Sequence, residues 1–199
     1  MERLHYNERL KRRAELKLKR VGDTFAQALG EHVVERTDGP MEFGMAFDRS
    51  VHVPWLQCRY DEQNRFFARS YDFVCTTDLP SDWDGEVQIE LKYSGVMQIA
   101  DCRFEASGAT EPVRDLVRDL NHDKAREIVR QIDFLGLKIG HSPAEGRWHI
   151  ESRTMIGSST WAIMPPAFQT ITPSTAECRA LVDTFDLLAH TIRTHGFAQ

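Results

Sequence analysis

What the chain lacks narrows its chemistry first. Its 199 residues contain no G-x-x-x-x-G-K-[ST], no G-x-G-x-x-G after a strand pattern, no H-E-x-x-H and no G-x-S-x-G. Those absences remove the familiar phosphate cradle, dinucleotide fold, zinc protease and serine-hydrolase elbow. Cysteine is scarce: Cys58, Cys75, Cys102 and Cys178 include no Cys-x-x-Cys pair. Zinc-like ligand spacing is missing, so neither a metal nor a cofactor is expected, and the four thiols should be free and buried as small hydrophobes. No stretch approaches the ~18 apolar residues of a membrane span. The opening Met1-Glu2-Arg3-Leu4-His5-Tyr6 is charged with no apolar run behind it. No secretory signal is therefore expected, and the chain reads as cytoplasmic.

What is present is ordinary for a globular chain. Hydrophobic residues make up 41% and charged residues 28%, enough to build a core and too apolar for disorder. Leu10, Ala14, Leu18, Val21, Phe25, Ala28 and Leu29 recur at steps of three and four, predicting a helix over residues 7–29 that stops at Gly30. Alternation predicts strands at 41–47 and 51–55, a further strand at 65–75 and a loop at 76–85. A hairpin follows, with Val87 to Tyr93 turning at Ser94-Gly95 into Val96 to Phe104. The small polar stretch 106–111 is the one internal boundary. Pro112 then opens a helix whose period lapses at Asn121-His122-Asp123 and resumes to Leu135, with Asp123 as a fresh N-cap. A second hairpin runs from Trp148, Ile150 and Ser152 to Trp161 and Ile163, turning at Gly157-Ser158. A last helix starts at the capping box Ser174-x-x-Glu177 and carries Cys178, Leu181, Val182, Phe185, Leu188, Ala189 and Ile192.

These elements make an α+β fold of about seven mostly antiparallel strands, with three or four helices packed on one face. It is read as a single domain over 1–199, with sub-units 1–105 and 110–199. Leu29-Gly30 followed by Asp38-Gly39, and Leu135-Gly136 followed by Glu145-Gly146, repeat one punctuation. The repetition is either the trace of a duplicated helix-plus-hairpin unit or two independent uses of common stop signals. The order helix, strands, helix, strands, helix ends in a helix carrying Phe185-Asp186-Leu187-Leu188, and it resembles the layout of small bacterial secretion chaperones, with additional strands at 65–104. That resemblance implies a homodimer that holds a client protein.

Charge is unevenly placed. Residues 1–20 hold eight Lys/Arg and three Glu, while the remaining residues hold seventeen Lys/Arg and twenty-seven Asp/Glu. On a helical wheel Arg9, Arg12, Arg13, Lys19 and Arg20 oppose the apolar stripe, with Leu16 among them. Such a face is either the solvated back of an amphipathic helix or a contact surface for an acidic partner. These six residues are the candidate partner-binding set. On the strand around Trp148, His149 and Glu151 share one face, as a proton-transfer pair or as members of a charge ladder. The leading expectation is a non-enzymatic protein-binding, adaptor or chaperone-like protein, its partner an acidic protein or a second copy of itself. The alternative is a small-molecule-binding protein or enzyme with an aromatic-lined pocket. A third is nucleic-acid contact through the basic helix, which the acidic remainder disfavours.

Overall fold

A computed structural model describes residues 2–30, 33–47, 52–64, 68–94, 101–162 and 167–199. Four helices and nine strands appear among them: α1 (Glu2–Leu29), β1 (Val33–Gly39), β2 (Glu42–Phe47), β3 (Trp55–Asn64), β4 (Ala68–Pro80), β5 (Val87–Ser94), β6 (Asp101–Ser107), α2 (Glu111–Leu120), α3 (Asp123–Val129), β7 (Phe134–Ser142), β8 (Arg147–Ala162), β9 (Ala167–Thr170) and α4 (Thr175–Thr194). All strands join one sheet of order β1-β2-β3-β4-β8-β7-β5-β6, with β9 on β8, and every pairing is antiparallel. The α+β class is thus as the periodicity predicts, with nine strands rather than about seven. No described helix is long and apolar enough to cross a membrane.

Strand parity builds the core. Leu56, Cys58 and Tyr60 of β3, Phe73, Cys75 and Leu79 of β4, Leu137 and Ile139 of β7, and Trp148 and Ile150 of β8 are all buried. Against them pack the buried stripe of α1 and the stripe of α4, and α4 also packs against α1, α2 and α3. Phe25 of α1 meets Phe43 and Phe73 at ring distances of 6.5 and 5.9 Å. The Ser174/Glu177 capping box starts α4 as predicted, each partner satisfying the other's backbone N–H. All four cysteines are free and buried, and Cys58 and Cys75 face each other across β3 and β4. Burial pushes the Cys58 thiol well above its usual range and the Cys178 thiol up to about 12, which holds both in the unreactive protonated form.

The structure corrects several boundaries. Val53 and Pro54 precede a strand instead of forming one, and β3 starts at Trp55. The strand read at 65–75 begins, within the described residues, at Ala68 and continues through Pro80, into the stretch read as loop. Ser94 faces Asp101, a register other than the one a turn at Ser94-Gly95 predicts, and residues 95–100 lie outside the described residues. The N-cap of α3 is His122, and Asp123 is its first helical residue. Asn121 closes α2 differently: its side-chain oxygen accepts from Phe104 N, and its amide donates to the carbonyls of Phe104 and Val117. Gly30 does end a helix, with φ of +68°, but Gly136 lies inside β7, so the two Leu-Gly steps occupy different local structures. Ile163, Pro165 and Pro166 fall outside the described residues.

Gly157-Ser158 is not a turn. β8 runs unbroken from Arg147 to Ala162, and at its middle Gly157 N donates to Ile171 O while Ile171 N donates to Ser158 O. With Gly157 at φ +79°, this is the G1 form of β-bulge, two residues of one strand opposite one of the next. Ser158 Oγ accepts from Phe73 N and donates to Thr154 O. Tyr60 donates its phenol proton to Gly157 O at 2.7 Å, and burial raises its pKa to about 12, keeping it a donor. The bulge divides β8 between two neighbours, β7 along its first half and β9 along its second.

Candidate functional site

Two surfaces could carry function, and they differ in how their charges are settled. The first is the sheet face opposite the helices. Register brings Ser107, Gln88, Gly140, His149 and Asp78 into one row across β6, β5, β7, β8 and β4, all on that face. Gly140 lacks a side chain in the middle of the row, and a concavity of about 680 Å³ opens there, bordered by Lys138, Glu145, Arg147, His149 and Glu151. Apart from Glu86, its charges already have partners. Arg147 bridges Asp78 and Glu145, Lys138 reaches Glu90, and Glu151 lies between Arg59 and Arg153. Arg153 also holds Asp61 at 2.6 Å.

His149 Nδ1 lies 2.6 Å from Asp78 Oδ1. A carboxylate oxygen accepts, so the proton of this bond is donated by Nδ1. Glu151 is engaged with the two arginines and not with His149. The strand face around Trp148 is therefore a charge ladder, and the two residues do not share a proton. An incoming charged ligand would have to displace pairs that the sheet already makes.

The second surface is α1. Its apolar stripe is buried, and Arg9, Arg12, Arg13, Lys19 and Arg20 are exposed around Leu16, which is 57% exposed. At 100° per residue all five cations fall within about 60° of Leu16, on the side turned away from the sheet. The sequence-derived set is thus gathered on one face. None of these five side chains has a hydrogen bond or ion pair among the described residues.

The flank of that face is grooved. Arg13, Leu16, Lys17 and Arg20 stand over Phe168, enclosing about 320 Å³. Adjoining it, Lys17, Arg20, Val21, Asp23 and Thr24 face Thr170 and Thr172 around a further 340 Å³ or so. Phe168 forms the floor by stacking on Tyr71 at 5.9 Å, and Thr170 Oγ is fixed by Ser159 Oγ at 2.8 Å. The sequence reading did not find Lys17, Phe168 or Thr170. Lys17 sits at the margin of the cationic arc, about 100° from Leu16. Phe168 belongs to a four-residue strand too short to show alternation.

No curated protein and no solved structure matches the chain. A family model does match it, over residues 27–192. That span takes in the sheet, α2, α3 and all but the end of α4, and leaves the cationic residues of α1 outside it. The chain accordingly belongs to the family described as "Protein of unknown function (DUF3156)".

Proposed function

We propose that this protein is a non-enzymatic binding module that takes an acidic protein segment on the exposed face of α1, in the cytoplasm, where its thiols stay reduced. One observation supports the reading: five cations surround an exposed leucine and none of their side chains has a partner among the described residues, whereas the opposite sheet face pairs most of its charges. A purely solvated face gains nothing from Leu16. A docking face gains apolar area at its centre and long-range attraction around it.

The test uses a fluorescein-labelled polyglutamate peptide as probe. Arg12→Glu, Arg13→Glu and Arg20→Glu combined should leave the melting temperature close to wild type, since exposed charge contacts are worth ~0–1 kcal/mol each. The same variant should lose at least tenfold in affinity for the probe, and wild-type binding should weaken as added salt shortens the Debye length to ~3 Å at 1 M. Unchanged binding by the folded triple variant would remove the reading. Generic duplex DNA should give no gel shift at low salt, where phosphate binding is strongest, and a shift there would transfer the face to nucleic acid.

A further inference from the structure

The groove beside α1 ends on a sheet edge. β9 pairs with β8 alone among the described residues. The bulge fixes which of its backbone groups are used. Ile171 exchanges both its bonds with Gly157 and Ser158, so by the alternation of an antiparallel ladder Gln169 and Ala167 also point their N–H and C=O at β8. Phe168 and Thr170 then direct theirs the other way, toward the open edge. The same two residues line the groove with their side chains, beneath Arg13, Lys17 and Arg20. Trp161, opposite Phe168 in register, has a buried indole N–H with no acceptor among the described residues.

Resting on the reading of α1 as an acid-binding face, we infer that the acidic segment binds as an extended strand added to β9, with carboxylates at alternate positions turned up to α1. Spacing supports this form. Arg13 to Arg20 covers about 10 Å along a helix rising 1.5 Å per residue. Carboxylates at i, i+2 and i+4 of a strand span about 13 Å, so three of them lie within reach of Arg13, Lys17 and Arg20 together. Strand addition also explains how a recognition site can be so shallow: main-chain bonds supply affinity, and alternate side chains supply selection. The partner is thus a protein segment with an acid-x-acid-x-acid pattern and β-forming residues between the acids.

The discriminating experiment compares synthetic hexapeptides on the full-length protein. The parent is Glu-Val-Glu-Val-Glu-Val, and its block isomer is Glu-Glu-Glu-Val-Val-Val. Two further peptides carry N-methyl groups on the backbone nitrogens of either the glutamates or the valines. The parent should bind at least tenfold more tightly than the block isomer. One N-methylated peptide should lose at least tenfold, and the other should stay within about threefold, because a strand presents only alternate N–H groups to its neighbour. If both N-methylated peptides bind like the parent, or both lose equally, strand addition is wrong while the acid-binding reading stands. If neither the parent nor the block isomer binds, or if Arg13→Glu/Arg20→Glu protein binds them as wild type does, the acid-binding reading falls and this inference with it.

Discussion

Replacing Trp148 by alanine is expected to destabilise the fold by about 4 kcal/mol, within the range for a fully buried aromatic. Trp148 is completely buried and stacks on Trp83 at 5.5 Å with planes 13° apart. Its indole N–H donates to Phe197 O at 3.0 Å, and His141 and Phe197 complete the cluster at ring distances of 5.2 and 5.6 Å. The surroundings have little room to collapse into the vacated space. Ser81 Oγ also donates to Phe197 O, Gln199 N donates to Pro80 O, and Trp83 lies so close over Gly85 that even a methyl group there would meet its ring at 2.2 Å. At about 2–4 °C per kcal/mol for a chain of this size, the melting temperature should fall by roughly 12 °C. Trp148→Phe refills most of the volume and should cost less than half as much. A denaturant titration showing under 1 kcal/mol for Trp148→Ala would mean the cluster is loosely packed. Binding of acidic peptide, measured well below the midpoint, should be unaffected, because the cluster lies away from α1 and β9.

Gly157→Ala should do the opposite and strike stability and binding together. A Cβ at φ +79° costs about 1 kcal/mol on backbone grounds. It would also sit 2.8 Å from ring carbons of Phe73, which is fully buried and cannot withdraw. Overpacking of that kind adds about 1–3 kcal/mol, so a total near 3 kcal/mol is expected. The bulge is also what seats Ile171 and sets the direction of β9. Peptide affinity should therefore fall in this variant even at temperatures where it is fully folded. An alanine variant of wild-type stability would show that the bulge is not held as the structure has it.

The contrast between these two variants follows the division between what the sequence makes legible and what it conceals. The stripes of α1 and α4 are written at helical period, and the Ser174/Glu177 cap is a local signal, so both helices are placed from sequence alone. The inward set Trp148, Ile150 and Ser152 is likewise plain from alternation. β3 is harder: Leu56, Cys58 and Tyr60 alternate with Gln57, Arg59 and Asp61, but the polar run Asp61 to Asn64 carries no strand signal of its own, and the sequence assigns no element there until β4 is known to lie beside it. β7 is masked by Gly136 and Gly140, which look like punctuation but lie within the strand. Gly157 shows the limit most clearly. Gly-Ser in a strand pattern is turn chemistry locally, and only the pairing partners, Ile171 on one side and Phe73 on the other, make it a bulge.

The candidate site divides in the same way. Its cationic face depends on one helix and can be drawn from the sequence of that helix. Its groove depends on β9 returning to the flank of α1 across some 150 residues, and no local pattern marks Phe168 as its floor. The row formed by Gly140, His149 and Asp78 is equally non-local. There the structure has the charge ladder, one of the two readings that the sequence offers for His149 and Glu151.

The most direct test of the central claim is a backbone amide NMR titration of the isotope-labelled protein with the alternating acidic peptide. Shifts should be confined to two stretches, Arg9 to Thr24 on α1 and Phe168 to Thr172 on and beyond β9, with the amides of Phe168 and Thr170 gaining protection from hydrogen exchange on saturation. Shifts centred instead on Lys138 to Glu151 would place the acidic ligand on the opposite face of the sheet and contradict it.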